Sequence, residues 1–267
     1  MTVSLPVHQW YEAIGVRRSR RHYDGRPVEP SLIKKLRVLC AEFTPFPGTR
    51  AVIIDRSPEK VFKGAVGHYG EVKGAPAYAA FVGDMREPYV QERVGYLGEA
   101  IILEATHLGL ATCWVGGFFR PDVAGTEIGV AEYEQVLAVT PLGYSVREYT
   151  FEERLLSGFG RSHKRRPLTE LTTGLEPNRR PDWINSALVV ARLAPSAVNR
   201  QPWRFEVRED QITISVDNDR DSYGISKRLD CGIAMLHLEI GAAQSGVFGR
   251  WGFLEAPQVA RFSLQGD

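Results

Sequence analysis

Tyr96–Trp114, Y-L-G-E-A-I-I-L-E-A-T-H-L-G-L-A-T-C-W, and Asp230–Trp251, D-C-G-I-A-M-L-H-L-E-I-G-A-A-Q-S-G-V-F-G-R-W, are the two stretches on which the fold turns. Gly, Ala, Leu-Glu, Gly and Trp recur in the same order in both, with small spacing differences. In the first, Tyr96, Ala100, Ile101, Leu103 and Leu108 share one side of a helix expected over Arg93–Leu110, with Gly109 near its end. In the second, a long helix is expected over Cys231–Ser245. Each is preceded by a helix, a proline-containing loop and a strand, at Leu32–Ile54 and at Ile184–Val207. Such a tandem α+β unit can pack against itself as a pseudo-dimer, forming with one chain an interface usually made by two. Two buried amphipathic helices can also resemble each other by chance.

Outward from these stretches, apolar spacing predicts helices over Gln9–Val16, Leu32–Phe43, Pro121–Ile128 and Trp183–Leu193. Strands are expected at Ala51–Asp55, Ala77–Val82, Gln135–Leu142, Phe205–Val207 and Ile212–Val216, and Phe248–Phe253 leads into a tail. Glu59–Gly74 is Gly-rich and ambiguous. The polar, proline-bounded run Glu176–Asp182 is the linker candidate, dividing residues 1–175, a first copy with a basic C-terminal segment, from residues 176–267, a second and shorter copy.

Bulk properties exclude several classes. Lys plus Arg (33) nearly equals Asp plus Glu (32), so no global field draws the chain to nucleic acid or an anionic membrane. Three widely spaced cysteines, Cys40, Cys113 and Cys231, argue against a disulfide framework and for a reducing compartment. Neither cysteine nor histidine spacing suggests a metal site. No uncharged apolar run approaches the ~20 residues of a membrane span, and M-T-V-S-L-P-V-H-Q-W lacks the features of a signal peptide, so a cytoplasmic location is expected.

The two copies differ in their chemistry. Arg17-Arg18-Ser19-Arg20-Arg21 occurs only in the first; its forked guanidinium donors and hydroxyl suit a phosphate, or else form a solvated helix end. Ala194–Trp203, A-P-S-A-V-N-R-Q-P-W, occurs only in the second, and its two prolines stiffen a loop rich in polar groups. The first copy has T-P-F-P-G-T-R at that place, without the serine or the amides. Thr112–Gly117 joins a tryptophan to two glycines, where a ligand can approach the backbone or a helix simply ends. Lys164-Arg165-Arg166 is a second basic cluster.

Together, R-R-S-R-R-H-Y, A-P-S-A-V-N-R-Q-P-W, G-L-A-T-C-W-V-G-G-F and K-R-R-P resemble the motif set of the FMN-dependent nitroreductase family. The Tyr96–Trp114 version and the tandem arrangement are most similar to its TM nitroreductase branch. The resemblance covers most of residues 9–253 and implies a nitroreductase-like α+β fold: two tandem copies of a central, mostly antiparallel sheet flanked by helices, packed as an internal pseudo-dimer.

It also implies an FMN site. Arg17, Arg18, Ser19 and Arg21 are then expected at the phosphate and ribityl chain. Pro195, Ser196 and Asn199, supported by Gln201, are expected at the isoalloxazine and ribityl. Trp114, Val115, Gly116 and Gly117 should offer backbone N–H groups near flavin N5, and Lys164 and Arg166 should close on the phosphate. Ala197 stands where some members have a second hydroxyl, and His68 and Glu71 where some place an amide and a lysine. The implied activity is ping-pong reduction: NAD(P)H, as co-substrate, delivers hydride to N5 and leaves, and an electron-poor small molecule such as a nitroaromatic or quinone then accepts it. No side-chain acid is required, so no catalytic residue is named. A monomer acting as its own pseudo-dimer is expected. One alternative keeps the fold and FMN for another reaction of related scaffolds, such as dehalogenation or azoline oxidation, and another is a non-catalytic flavin-binding protein.

Overall fold

Trp10, Ala13 and Ile14 fall on one face of α1 (Val7–Val16) and are buried, so the first element already docks on the central helices. The computed structural model describes residues 5–62, 72–146, 164–218, 220–221 and 224–264. His68 and Glu71 lie outside the described residues. Helix α2 (Pro30–Glu42) has proline in its first turn, where the missing N–H has no helical partner to lose.

β1 (Thr49–Ile54), β2 (Ala77–Asp84) and β3 (Glu134–Leu142) form an antiparallel sheet with β2 in the centre. The short α3 (Glu59–Phe62) lies between β1 and β2. Strand β2 is buried on both faces, which is why it reads as a continuous apolar run. Its alternate residues serve two cores. Ala77, Ala79 and Phe81 face the main core, while Tyr78, Ala80 and Val82 pack with Phe62, Val136 and Val139 beneath α5 (Pro121–Ile128).

The second sheet has the order β4 (Thr172–Gly174), β5 (Trp203–Val207), β6 (Gln211–Val216), β8 (Gln258–Leu264), β7 (Gly249–Phe253), and is antiparallel except between β4 and β5. Strand β4 follows the one-turn α6 (Leu168–Leu171) and precedes the expected linker, yet joins the second sheet. Strand β8 lies in the stretch read from sequence as a tail; its Val259, Ala260 and Phe262 are buried.

Two long helices, α4 (Val90–His107) and α8 (Lys227–Gln244), lie against each other at the centre and are buried nearly all round. The helix α7 (Asp182–Ala191) packs on α8, where Gly241 admits the backbone of Ala187. The α4–α8 crossing is reciprocal. A Cβ on Gly95 would collide with the Leu229 carbonyl oxygen, and one on Gly232 with that of Glu92, three residues before Gly95. Only glycine permits this approach. With α3, α5 and β7 set aside, the order helix, two antiparallel strands, long helix, returning strand occurs twice: α2–β1–β2–α4–β3, then α7–β5–β6–α8–β8.

Candidate functional site

A cleft of about 990 Å³, including its open mouth, lies where segments distant in sequence meet. Ser19 and Arg21 contribute from the arginine-rich segment after α1, Trp114, Val115 and Gly116 from the turn after α4, and Pro195 and Ser196 from the loop after α7. Ala197, Val198, Cys113 and Asp230 complete it with an apolar wall of Phe62, Val72, Phe118, Ile225, Leu229 and Ile233. The two half-sites that separate in sequence are therefore walls of one cleft.

Backbone pairing positions the arginine-rich segment. Ser19 bridges Thr112 in parallel, and the Arg20 N–H donates to the Thr112 carbonyl at 2.9 Å. Arg17 is buried, its Nε 4.0 Å from Glu99 Oε1 and its Nη1 3.5 Å from Ser19 Oγ. Arg18 folds back over the end of α1, donating to the carbonyls of Gly15 (3.0 Å) and Arg17 (2.7 Å).

The turn after α4 departs from expectation at Val115 and at Gly117. The Val115 N–H donates to the Val139 carbonyl at 2.9 Å and so belongs to the edge of the first sheet. Gly116 faces the cleft with Ile225 Cγ2 3.2 Å from where its Cβ would stand, whereas Gly117 is exposed and off the lining. The Trp114 indole is anchored through Nε1 to Glu99 Oε2 at 2.6 Å.

The loop's amides also point elsewhere than expected. Asn199 Oδ1 accepts from Arg165 Nη1 at 2.9 Å, and Asn199 Nδ2 donates to the Lys164 carbonyl at 2.9 Å. Lys164 and Arg166 are exposed, and Arg166 lies 3.8 Å from Glu170. It is Arg165, between them, that turns inward. Burial, then repulsion by Arg17, Arg18 and Arg192, pushes Arg165 down to about 10. No sequence signal distinguishes it from its two neighbours.

Asp230, in the first turn of α8, is 2% exposed and was not singled out in the sequence. Its Oδ2 accepts from Arg200 Nε at 2.6 Å and its Oδ1 from the Ala197 N–H at 3.0 Å, tying the loop to the helix. Burial raises this carboxyl to about 6 against the opposing pull of Arg200.

This donor set fits FMN. Arg17, Arg18 and Arg192 stand close enough to Arg165 to repel it, and Arg192 Nε is buried without a hydrogen-bond partner, an arrangement that a phosphate dianion would relieve. In the cleft, Trp114, Ile225 and Ile233 offer surfaces for a planar ring. Among the described residues no cluster of His, Cys, Asp and Glu could hold a metal ion, and no helix is long and apolar enough to cross a membrane.

Comparison with known proteins agrees with this architecture. A Thermotoga maritima crystal structure described as a "putative nitroreductase" is 20% identical with a TM-score of 0.63, over 96% of this chain and 93% of that one, a likeness of fold. A Mycobacterium tuberculosis protein, "Putative NAD(P)H nitroreductase acg", is 34% identical over 70 residues, 24% of this chain and 21% of that protein's length. The match thus spans about a fifth of the curated relative. The model of the "Putative TM nitroreductase" family matches residues 9–242, and with the fold and the converging motifs this establishes that the chain belongs to that family.

Proposed function

We propose that the chain is an FMN-dependent NAD(P)H oxidoreductase that reduces electron-poor acceptors such as nitroaromatics or quinones in a ping-pong cycle. The observation that carries this is the meeting of Ser19 and Arg21 with Pro195 and Ser196 across one cleft within a single chain. When bound, the flavin supplies hydride chemistry, taking hydride from the nicotinamide and passing it to the acceptor. The protein's own part is to bind, orient and exclude. Arg17, Arg18, Arg165 and Arg192 would hold the phosphate, and Ser19 and Arg21 present polar groups along the cleft. Phe62, Val72 and Phe118 give the cleft apolar surface, which favours planar, weakly hydrated acceptors over charged ones.

The crossing of α4 and α8 supports an internal pseudo-dimer with one cofactor site. Pairing Gly95 with Gly232 and continuing without a gap sets Tyr96 with Ile233, Arg93 with Asp230, Trp114 with Trp251 and Gly116 with Phe253. Ile233, Asp230, Trp114 and Gly116 line the cleft. Their counterparts fill the related place with rings. Phe253 stacks on Tyr89 (5.5 Å) beneath Arg93 (4.9 Å), and Phe46 meets both Phe253 (5.0 Å) and Tyr96 (5.1 Å) edge-on. Phe46 belongs to T-P-F-P-G-T-R, the first copy's version of the Ala194–Trp203 loop.

The test is the absorbance spectrum of the purified chain, before and after FMN addition and then with NADH or NADPH under anaerobic conditions. One FMN per chain, bleached by a nicotinamide, is expected. No bound flavin after FMN addition overturns the proposal. Bound flavin that neither nucleotide bleaches overturns the enzymatic part and leaves a flavin-binding protein.

A further inference from the structure

The loop after α7 is held in an unusual backbone. Val198 (φ 50°), Asn199 (φ 55°) and Gln201 (φ 48°) all take left-handed conformations. Asparagine tolerates this region better than most residues, whereas a β-branched valine is the least tolerant. Such strain persists only where surrounding contacts impose it. Ala197 and Arg200 are tied to Asp230, and the two amides of the loop are held by a second place. Asn199 Nδ2 and Gln201 Nε2 both donate to the Lys164 carbonyl, at 2.9 and 3.1 Å. Gln201 Oε1 accepts from the Arg166 N–H at 2.8 Å, and Asn199 Oδ1 accepts from the Arg165 guanidinium at 2.9 Å. Gln201 is 4% exposed, and its own N–H is closed by Ser196 Oγ at 2.9 Å. The loop thus turns two amides onto three consecutive residues of a segment from the other part of the chain.

We propose that Asn199 and Gln201 are positioning residues that clamp Lys164–Arg166 and thereby place Arg165 beside Arg17 and Arg18, completing a binding site for the phosphate group of the cofactor. This rests on the flavin reading above, but gives Asn199 a task at the phosphate end and none at the flavin ring. The physical case is that Arg165 sits where three other guanidinium groups repel it. Without restraint a long arginine would swing its head into water. The Asn199 carbonyl oxygen and the Leu193 carbonyl, which accepts Arg165 Nη2 at 3.1 Å, hold the head in, while the Lys164 and Arg166 main-chain contacts fix its root.

FMN and riboflavin differ only in the phosphate, so the ratio of their affinities reads the clamp directly. Asn199→Gly keeps the left-handed backbone at no steric cost and removes only the amide. It is expected to lower FMN affinity by about tenfold or more while riboflavin affinity changes by less than about threefold. Arg165→Gln, which keeps every residue of the loop and its main-chain contacts to Lys164 and Arg166, is expected to lower the same ratio and serves if Asn199→Gly does not fold. Inorganic phosphate should raise the thermal midpoint of the wild type and do so less in both variants. Equal losses for FMN and riboflavin, or an unchanged ratio, overturn the proposal. If the wild type binds neither flavin, the flavin reading fails, and the clamp is then judged on inorganic phosphate alone. A wild type that phosphate does not stabilise overturns the clamp as well.

Discussion

Trp114 donates its indole N–H to Glu99 Oε2 at 2.6 Å, and the same buried carboxylate meets His237 Nε2 through Oε1 at 2.8 Å. One side chain of α4 therefore holds a wall of the cleft and bonds across to α8. Arg17 lies 4.0 Å from it on a third side. Removing this carboxylate leaves a partly buried indole N–H and a fully buried histidine without their acceptor. Glu99→Leu is expected to cost about 3–5 kcal/mol, and Glu99→Gln, which keeps one acceptor oxygen, about 1–3 kcal/mol. Urea midpoints measure both, and the Trp114 environment can be followed by fluorescence in a Trp114→Phe comparison.

The reciprocal glycines make a sharper test of packing. In Gly95→Ala or Gly232→Ala the new methyl meets backbone oxygen on the opposite helix, which no rotamer change can avoid. Each substitution is expected to destabilise by about 2–4 kcal/mol despite the better helix propensity of alanine. Gly252→Ala, whose Cβ would meet nothing within 4 Å, is the control, expected to stay within about 0.5 kcal/mol.

Gly116→Phe transplants the aromatic plug. In the proposed pairing of the two halves Phe253 is the counterpart of Gly116, and a ring at Gly116 would project toward Ile225 in the cleft. The expected result is a folded chain, by circular dichroism, that binds FMN at least about tenfold more weakly than the wild type. Undiminished flavin binding would refute the placement of the cofactor against this turn.

Asp230 ties stability to pH. Its carboxyl is raised to about 6, chiefly by burial, from an ordinary value of 3.8. Between those values the folded chain keeps a proton that the unfolded chain has lost. The contribution of this group therefore falls as pH rises through that window, by about 3 kcal/mol in all, and is constant above it. Denaturant titrations of the wild type and Asp230→Asn between pH 4 and 8 should give a difference curve that slopes from pH 4 to about 6.5 and is flat beyond.

How much of this was legible beforehand differs between parts of the chain. Helix α5 occurs at Pro121–Ile128 as its sequence predicts, because proline opens it and Gly129 closes it in a left-handed cap. The buried strand β2 and both long helices follow from continuous apolar runs and 3.6-residue spacing. Strands β4 and β8 escaped notice because their stability comes from pairing with β5 and β6, distant or unmarked in the local pattern.

The sequence by itself determined the two long buried helices, the apolar strand β2, and where its polar, proline- and glycine-punctuated segments lie. Those are matters of residue type and periodicity, which act locally. Tertiary structure alone decided that Arg165 turns inward while Lys164 and Arg166 face water, that the Val115 N–H is taken by Val139, and that Asn199 grips a main-chain segment. In irregular segments the direction of a side chain is set by partners far along the chain, through hydrogen bonds and charge repulsion that no local pattern encodes.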